Sequence, residues 1–384
     1  MKLSKISMAF LFTTLQASSY ASSNKKIDDL AHSFMQQNHV EGLSISVINK
    51  GSTQIFNYGY ANELKKIPTE NNTIYRVGSF SKTYTATLAS IAAVEGKLNL
   101  NEPFNQYFPE LKNNTHLNKI TATMLLAHVS SLPFNFMPTP ASYSGAIKDL
   151  KQFVPPYSPG TQYAYSNAGI GIVGYLLQNI YSEDYDKLLA NKISNPLNLT
   201  STYLNLPADK EKYVAMGHER NNELRPYDKN IDTWFAAGSL KSSISDMAKF
   251  LNAQMNYSSL NDATLSKAML IMHQNKYCLA GGVACEQLGW QAHTMSELSN
   301  SVGDTFFTNM DASGNPMFIH QKVVSNSTFP KKDFFVDKTC NGYGMSGYMA
   351  YIPEKKLGVV VLVNKNIWDE RVKLGRDILK SFNP

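Results

Sequence analysis

Strand-like segments lie at both ends of the chain and helix-like segments lie between them, and this order limits the fold more than any single motif does. Near the start, residues 43–49 alternate apolar and polar side chains, Lys50-Gly51-Ser52 makes a turn, and residues 53–60 form the returning arm of a hairpin. Near the end, residues 334–339, 347–352 and 357–364 are rich in β-branched and aromatic residues, with Pro353-Glu354-Lys355-Lys356 as a connecting turn. Helical spacing appears at 27–37, at 79–95 with Gly96 as its stop, at 168–181, at 244–255 and at 369–382. Residues 98–159 mix short helical stretches with Pro-bearing loops. The simplest architecture is an α/β chain with segregated elements (α+β), in which one sheet draws on both termini and a helical region is inserted. The expected boundaries are a sheet region at about 27–95 and 163–384, with the inserted helical region at about 96–162.

The first residues predict an export leader rather than part of that fold. Lys2 and Lys5 precede a mostly apolar stretch at 6–15, and Ser19-Tyr20-Ala21 offers small residues at a cleavage site. That assigns 1–21 to a signal peptide and 22–384 to the mature domain. The apolar stretch is too short for a permanent span, and no later one is long enough, so no stable membrane insertion is expected. With 43% apolar and 17% charged residues the chain has material for a substantial core. Its formal charge of +6 comes from basic residues scattered along the sequence, which argues against a nucleic-acid partner. For Cys278 and Cys285 two readings stand: a small disulfide-closed loop in an oxidising compartment, or two buried thiols. No spacing of Cys and His suggests a zinc site, and no metal or organic cofactor is expected.

Three short motifs carry chemistry. In Ser79-Phe80-Ser81-Lys82 a hydroxyl and an amine share one helix face, close to a helix N-terminus that favours developing negative charge. Such a lysine serves as a base only when its pKa is driven below about 10.4 by burial or a neighbouring cation. By itself the pattern is weak, since Ser22/Lys25 and Ser23/Lys26 repeat it. Tyr165-Ser166-Asn167 follows, offering a phenol for proton relay and an amide for substrate. That pattern also recurs, at Tyr60-Ala61-Asn62 and Tyr203-Leu204-Asn205. Lys338-Thr339 on a C-terminal strand offers a cation and a hydroxyl to a carboxylate.

Their order is the informative part, because Ser-x-x-Lys, then Tyr-x-Asn, then Lys-Thr resembles the penicillin-recognising serine enzymes. Gly78-Ser79-Phe80-Ser81-Lys82-Thr83, Pro159-Gly160-Thr161-Gln162 through Tyr165-Ser166-Asn167, and residues 348–358 with Asn364-Lys365-Asn366 are similar to the motifs of class C β-lactamases. The resemblance runs from about 27 to 382 and implies a β-lactamase/transpeptidase-like fold with an antiparallel sheet. It also implies hydrolysis of penicillins and cephalosporins through an acyl-enzyme on Ser79, conferring β-lactam resistance, with Lys82 and Tyr165 sharing the proton transfers. Asn167 and Asn135 would contact the substrate's amide side chain, and Lys338, Thr339 and Asn366 its carboxylate. Backbone N–H groups of Ser79 and Asn341 would form the oxyanion hole. A monomer exported to the periplasm of a Gram-negative bacterium is the expected setting.

The sequence also departs from that family. Cys340 stands where Gly is usual, Asn135 where Gln is usual, and Phe235-Ala236-Ala237-Gly238-Ser239 lacks a Tyr often found at the class C pocket. Crowding by Cys340 and an altered substrate profile are therefore expected. A DD-peptidase or esterase on the same fold, and a penicillin sensor that acylates without turnover, are the competing readings. A Ser-His-Asp hydrolase lacks its Gly-x-Ser-x-Gly elbow here.

Overall fold

The structure is a computed structural model that describes residues 24–135, 138, 141–279, 282–299, 309–310, 316–317, 321–324 and 329–382. The expected signal peptide at 1–21 lies outside the described residues. A helix α1 at residues 24–38 leads into the hairpin β1 (Gly42–Asn49) and β2 (Ser52–Asn62), edged by β3 (Ile67–Pro68). The first strand then pairs antiparallel with the last, β17 (Leu357–Val363), which continues into β16 (Met345–Ile352) and β15 (Phe334–Gly342). Beyond β15 the sheet adds β11 (Gln291–Thr294), β10 (Ala284–Glu286), β9 (Tyr277–Leu279), β14 (Gln321–Val324) and β5 (Gln162–Tyr163), making eleven strands. Two-stranded ribbons complete the strand inventory among the described residues: β4 (Ile74–Arg76) with β8 (Lys241–Ser243), β6 (Gly217–His218) with β7 (Leu224–Arg225), and β12 (Asn309–Met310) with β13 (Pro316–Met317). The sheet built from both termini is thus present, and its pairings are antiparallel.

Both faces of the central strands are covered, which is why β17 reads Leu-Gly-Val-Val-Val-Leu-Val without polar interruption. Val359, Val361 and Val363 face a core shared with α1 and α10 (Asp369–Ser381). Val360 and Leu362 face a second, larger core. That core is made by α2 (Ser81–Val94), α3 (Ala122–Leu126), α4 (Tyr143–Gln152), α5 (Asn167–Tyr181), α6 (Tyr185–Leu189), α7 (Phe235–Gly238), α8 (Ile244–Met255) and α9 (Ala263–Met272). α2 is buried on every side from Ser81 to Ala92, Lys82 and the hydroxyl-bearing residues included, which reflects a central position rather than a single packed face.

Two local details frame the site. Cys278 and Cys285 form a disulfide between directly paired residues of β9 and β10. On β15 the alternation sends Asp337 into the face covered by α10, where it meets His293, Tyr348 and Arg376. Its neighbour Lys338 turns to the opposite face, towards α2.

Candidate active site

The turn that carries Ser79 is pressed against β15. Gly78 has φ +43°, and a Cβ there would sit 3.0 Å from the Asn341 carbonyl and 3.3 Å from its nitrogen, so only glycine permits the approach. The same turn is tied to the neighbouring segment: Val77 N–H donates to the Leu240 carbonyl at 3.0 Å and Leu240 N–H to Ser81 Oγ at 3.1 Å. One short turn therefore fixes Ser79 between two backbone segments, with its hydroxyl still partly open.

Two groups converge on that hydroxyl. Lys82 Nζ lies 3.1 Å from Ser79 Oγ and donates to the Ala237 carbonyl at 2.7 Å. The Tyr165 hydroxyl donates to Ser79 Oγ at 2.9 Å. Lys82 is fully buried, and burial together with the charge of Lys338 holds its ammonium well below the usual lysine range; Cys340 and Asp232 oppose that shift. Both amines also face the Tyr165 ring, Lys82 Nζ at 4.8 Å and Lys338 Nζ at 5.3 Å from its centroid. A buried amine with a lowered pKa, one hydrogen bond from a hydroxyl, has the geometry of a general base and its nucleophile.

Tyr165 is held from behind by the start of α5. Ser166 caps that helix, its Oγ accepting from Gly169 N–H at 2.9 Å while donating to the Pro133 carbonyl at 2.6 Å. Ser166 N–H donates to His128 Nδ1 at 3.1 Å, and the imidazole stacks on the Tyr165 ring with centroids 4.2 Å apart. Burial, reinforced by the charges of Lys338 and Lys82, keeps His128 well below the usual histidine range, so the ring is neutral with its proton on Nε2.

The cavity in front of Ser79 is lined by Gly78, Ser79, Asn167, Asp232, Trp234, Ala237, Gly238, Ser239, Asn341 and Tyr343. The Asn341 side-chain amide and Ser239 Oγ are buried there with no protein hydrogen-bond partner among the described residues, leaving donors and acceptors for a ligand. Of the expected site residues, Ser79, Lys82, Tyr165, Asn167, Lys338 and Asn341 come together. Thr339 follows Lys338 on β15, partly exposed, and does not line this cavity. Asn135 lies next to Phe134, whose ring packs near Tyr165, and its Oδ1 is buried without a partner among the described residues. Asn366 is engaged elsewhere, donating its amide to Glu219 at 3.0 Å and its N–H to the His218 carbonyl at 2.8 Å.

Cys340 does not crowd the cavity. It is 2% exposed, belongs to the larger core and is pushed up to about 12 by burial, against the opposing charges of Arg371 and Lys82. The residue directly across from it is Gly347, where an added Cβ would lie 2.9 Å from the Cys340 sulfur and 3.1 Å from the Phe80 ring. The missing side chain of Gly347 accommodates the sulfur, so the departure at 340 is absorbed inside the sheet.

Comparison with known proteins agrees with this geometry. The family model described as Beta-lactamase matches residues 27–381. The chain belongs to the β-lactamase family. A β-lactamase of Pseudomonas fluorescens is 31% identical over 364 residues, covering 93% of this chain and 98% of that protein. One of Escherichia coli K12 is 28% identical over 371 residues, covering 94% and 95%. Among solved structures, a β-lactamase/D-alanine carboxypeptidase of Pseudomonas syringae superposes with TM-score 0.83 at 29% identity, covering 94% of this chain and 99% of that one. A class C β-lactamase superposes with TM-score 0.82 at 27% identity, covering 94% and 98%. This β-lactamase is accordingly a serine hydrolase of the class C type.

Several residues that shape the site left no mark in the sequence. The Ala237 carbonyl acts through the backbone, and any residue type supplies one. His128 lies in no motif, and neither it nor Asp232 is adjacent in sequence to Ser79. Only folding brings them to it.

Proposed function

We propose that this enzyme opens the β-lactam ring through an acyl-enzyme on Ser79, with Lys82 and Tyr165 moving the protons. The observation that carries the assignment of roles is the convergence of Lys82 Nζ, at 3.1 Å, and the Tyr165 hydroxyl, at 2.9 Å, on one oxygen, Ser79 Oγ. As Ser79 attacks the ring carbonyl, its O–H bond breaks and the proton passes to the Lys82–Tyr165 pair. The Oγ–C bond forms, the carbonyl oxygen gains charge, and backbone N–H groups of Ser79 and Asn341 are the assigned donors to it. The ring C–N bond then breaks and its nitrogen takes the proton. A water, deprotonated by the same pair, attacks the ester and restores Ser79.

Substrate is assigned to the neutral and cationic groups around this centre: Asn167 and Asn135 to the side-chain amide, Lys338 and Thr339 to the ring carboxylate. Asn366 joins them only by exchanging Glu219 for substrate. The paired cysteines and the expected leader support export to an oxidising compartment, which we assign as the periplasm, where the protein would act as a monomer and confer β-lactam resistance.

A chromogenic cephalosporin tests the reading directly. Steady turnover with loss of all activity and of the acyl adduct in Ser79→Ala is the expected result. A stable stoichiometric adduct on Ser79 would instead indicate a peptidase or sensor, and turnover retained by Ser79→Ala would refute the assignment of the nucleophile.

A further inference from the structure

The cavity in front of Ser79 has a single ionised side chain among its described lining residues, and it is an acid, Asp232. Its other walls are neutral: glycine and alanine backbone, the Ser79 and Ser239 hydroxyls, the Asn167 and Asn341 amides, and the aromatic rings of Trp234 and Tyr343. Asp232 Oδ1 accepts the Trp234 N–H at 2.9 Å, a turn that fixes the carboxylate just ahead of α7 and of the Ala237 carbonyl that receives Lys82. Among the described residues no lysine, arginine or histidine forms an ion pair with it. Arg76 is the nearby cation: its guanidinium lies 3.4 Å from the centroid of the Tyr343 ring, which screens it from the cavity, and its Nη1 donates to the Asp228 carbonyl, while Arg76 itself does not line the cavity.

The charges of the site are therefore separated. The amines of Lys82 and Lys338 are buried behind the cavity around the Tyr165 ring, while Asp232 is exposed at its wall. Penicillins and cephalosporins bring a ring carboxylate, which Lys338 attracts and Asp232 repels. A second negative charge on the substrate would meet Asp232 without compensation, whereas a positive one would meet a carboxylate that lacks a counter-ion. We propose that Asp232 is a specificity-determining residue that favours β-lactams whose acylamino side chain carries a positive charge. This inference rests on Ser79 as the nucleophile and on Lys338 as the end that takes the ring carboxylate. With the carboxylate held there, the acylamino arm is the part of the substrate left for the wall formed by Asn167, Trp234 and Asp232.

Asp232 is exposed, so its effect is modest and screened by salt. It also acts weakly on Lys82, so its removal can change the rate for every substrate alike. The test must therefore compare substrates rather than rates. Three penicillins with the same ring and a benzyl side chain bearing an α-ammonium, an α-hydrogen or an α-carboxylate serve this purpose, measured as kcat/KM for the wild-type enzyme and Asp232→Asn. The expected result is that Asp232→Asn reduces the ammonium-to-carboxylate preference about five-fold. High salt should shrink that preference in the wild type and leave it unchanged in the variant, and Asp232→Lys should push it further in the same direction as Asp232→Asn. A ratio that stays constant across variants and salt, with all three substrates shifted equally, overturns the proposal and leaves Asp232 a structural cap. Intact-mass detection of the acyl adduct from the α-hydrogen penicillin separates the two levels: no adduct on Ser79 refutes the underlying mechanism, whereas an adduct with an unchanged ratio refutes only the role of Asp232.

Discussion

At the scale of single residues the site depends on keeping two lysines close without letting both be charged freely. Lys82 is buried, shares the Tyr165 ring with Lys338 and has its ammonium disfavoured by both circumstances. Arginine at this position would stay protonated, so Lys82→Arg is expected to lower the acylation rate by about 10² to 10⁴-fold while the protein still folds, a loss read by stopped-flow acylation. His128 is the neutral plate against which Tyr165 rests. Its replacement by Phe keeps a ring but loses the acceptor for the Ser166 N–H; replacement by Ala loses both. Turnover is expected to fall in the order wild type, His128→Phe, His128→Ala, as Tyr165 loses its support. Equal activity in all three would remove His128 from the account. The Ser79 and Lys82 pair was legible because helical spacing puts residues three apart on one face. His128 and the Ala237 carbonyl were not, because their roles come from contacts between distant segments.

At the scale of elements the exchange between Cys340 and Gly347 governs how β15 and β16 pack. Since the sulfur fills space that Gly347 vacates, Cys340→Gly is expected to leave substrate preference unchanged and to cost stability, about 1 kcal/mol, through lost burial. Gly347→Ala should cost about 1–3 kcal/mol by overpacking, because its Cβ would meet both the Cys340 sulfur and the Val361 carbonyl at 2.9 Å. Thermal melts of the two single variants and the double variant measure this coupling; a double variant no better than Gly347→Ala alone would show that the sulfur is not the obstacle. Strands of this length were readable from sequence because β15, β16 and β17 run for seven to nine residues. Those between them and the sheet's far edge were not. Tyr277–Leu279, Ala284–Glu286 and Gln291–Thr294 have three or four residues each, too few for an alternation to stand out. The helix Ala263–Met272 was also missed, since it follows a short turn directly after α8 and its start depends on the Asp262 cap.

At the scale of the whole molecule, the sheet's back face holds a buried charge network that sets an acid limit. Burial alone would raise the Asp337 carboxyl, yet the charge and hydrogen bond of His293, with Arg376 and Tyr348, bring it from 3.8 down to about 2. A carboxyl whose folded pKa lies below its unfolded one contributes its stability above the unfolded value and loses it as pH falls through the folded value. This group is therefore expected to contribute about 2 kcal/mol above pH 4 and to lose that contribution between about pH 4 and pH 2. Denaturant unfolding across that interval measures it, and Asp337→Asn should flatten the dependence there while lowering stability at neutral pH. An unchanged slope would place the acid sensitivity elsewhere. The fold class was legible at this scale because each terminus announces its own strands, although their mutual pairing is a property of the complete chain.

That pairing has a consequence for how the enzyme comes into being. Gly42 N–H bonds to the Asn364 side chain across 322 residues, and β1 has no neighbour on its inner side until β17 arrives. A chain made from its N-terminus onwards exposes an unpaired hairpin for nearly the whole of its synthesis, and closes its sheet only when the final strand is released. Chaperones that shield bare strand edges, and the speed of synthesis itself, should therefore govern the yield of active enzyme more strongly than its equilibrium stability does.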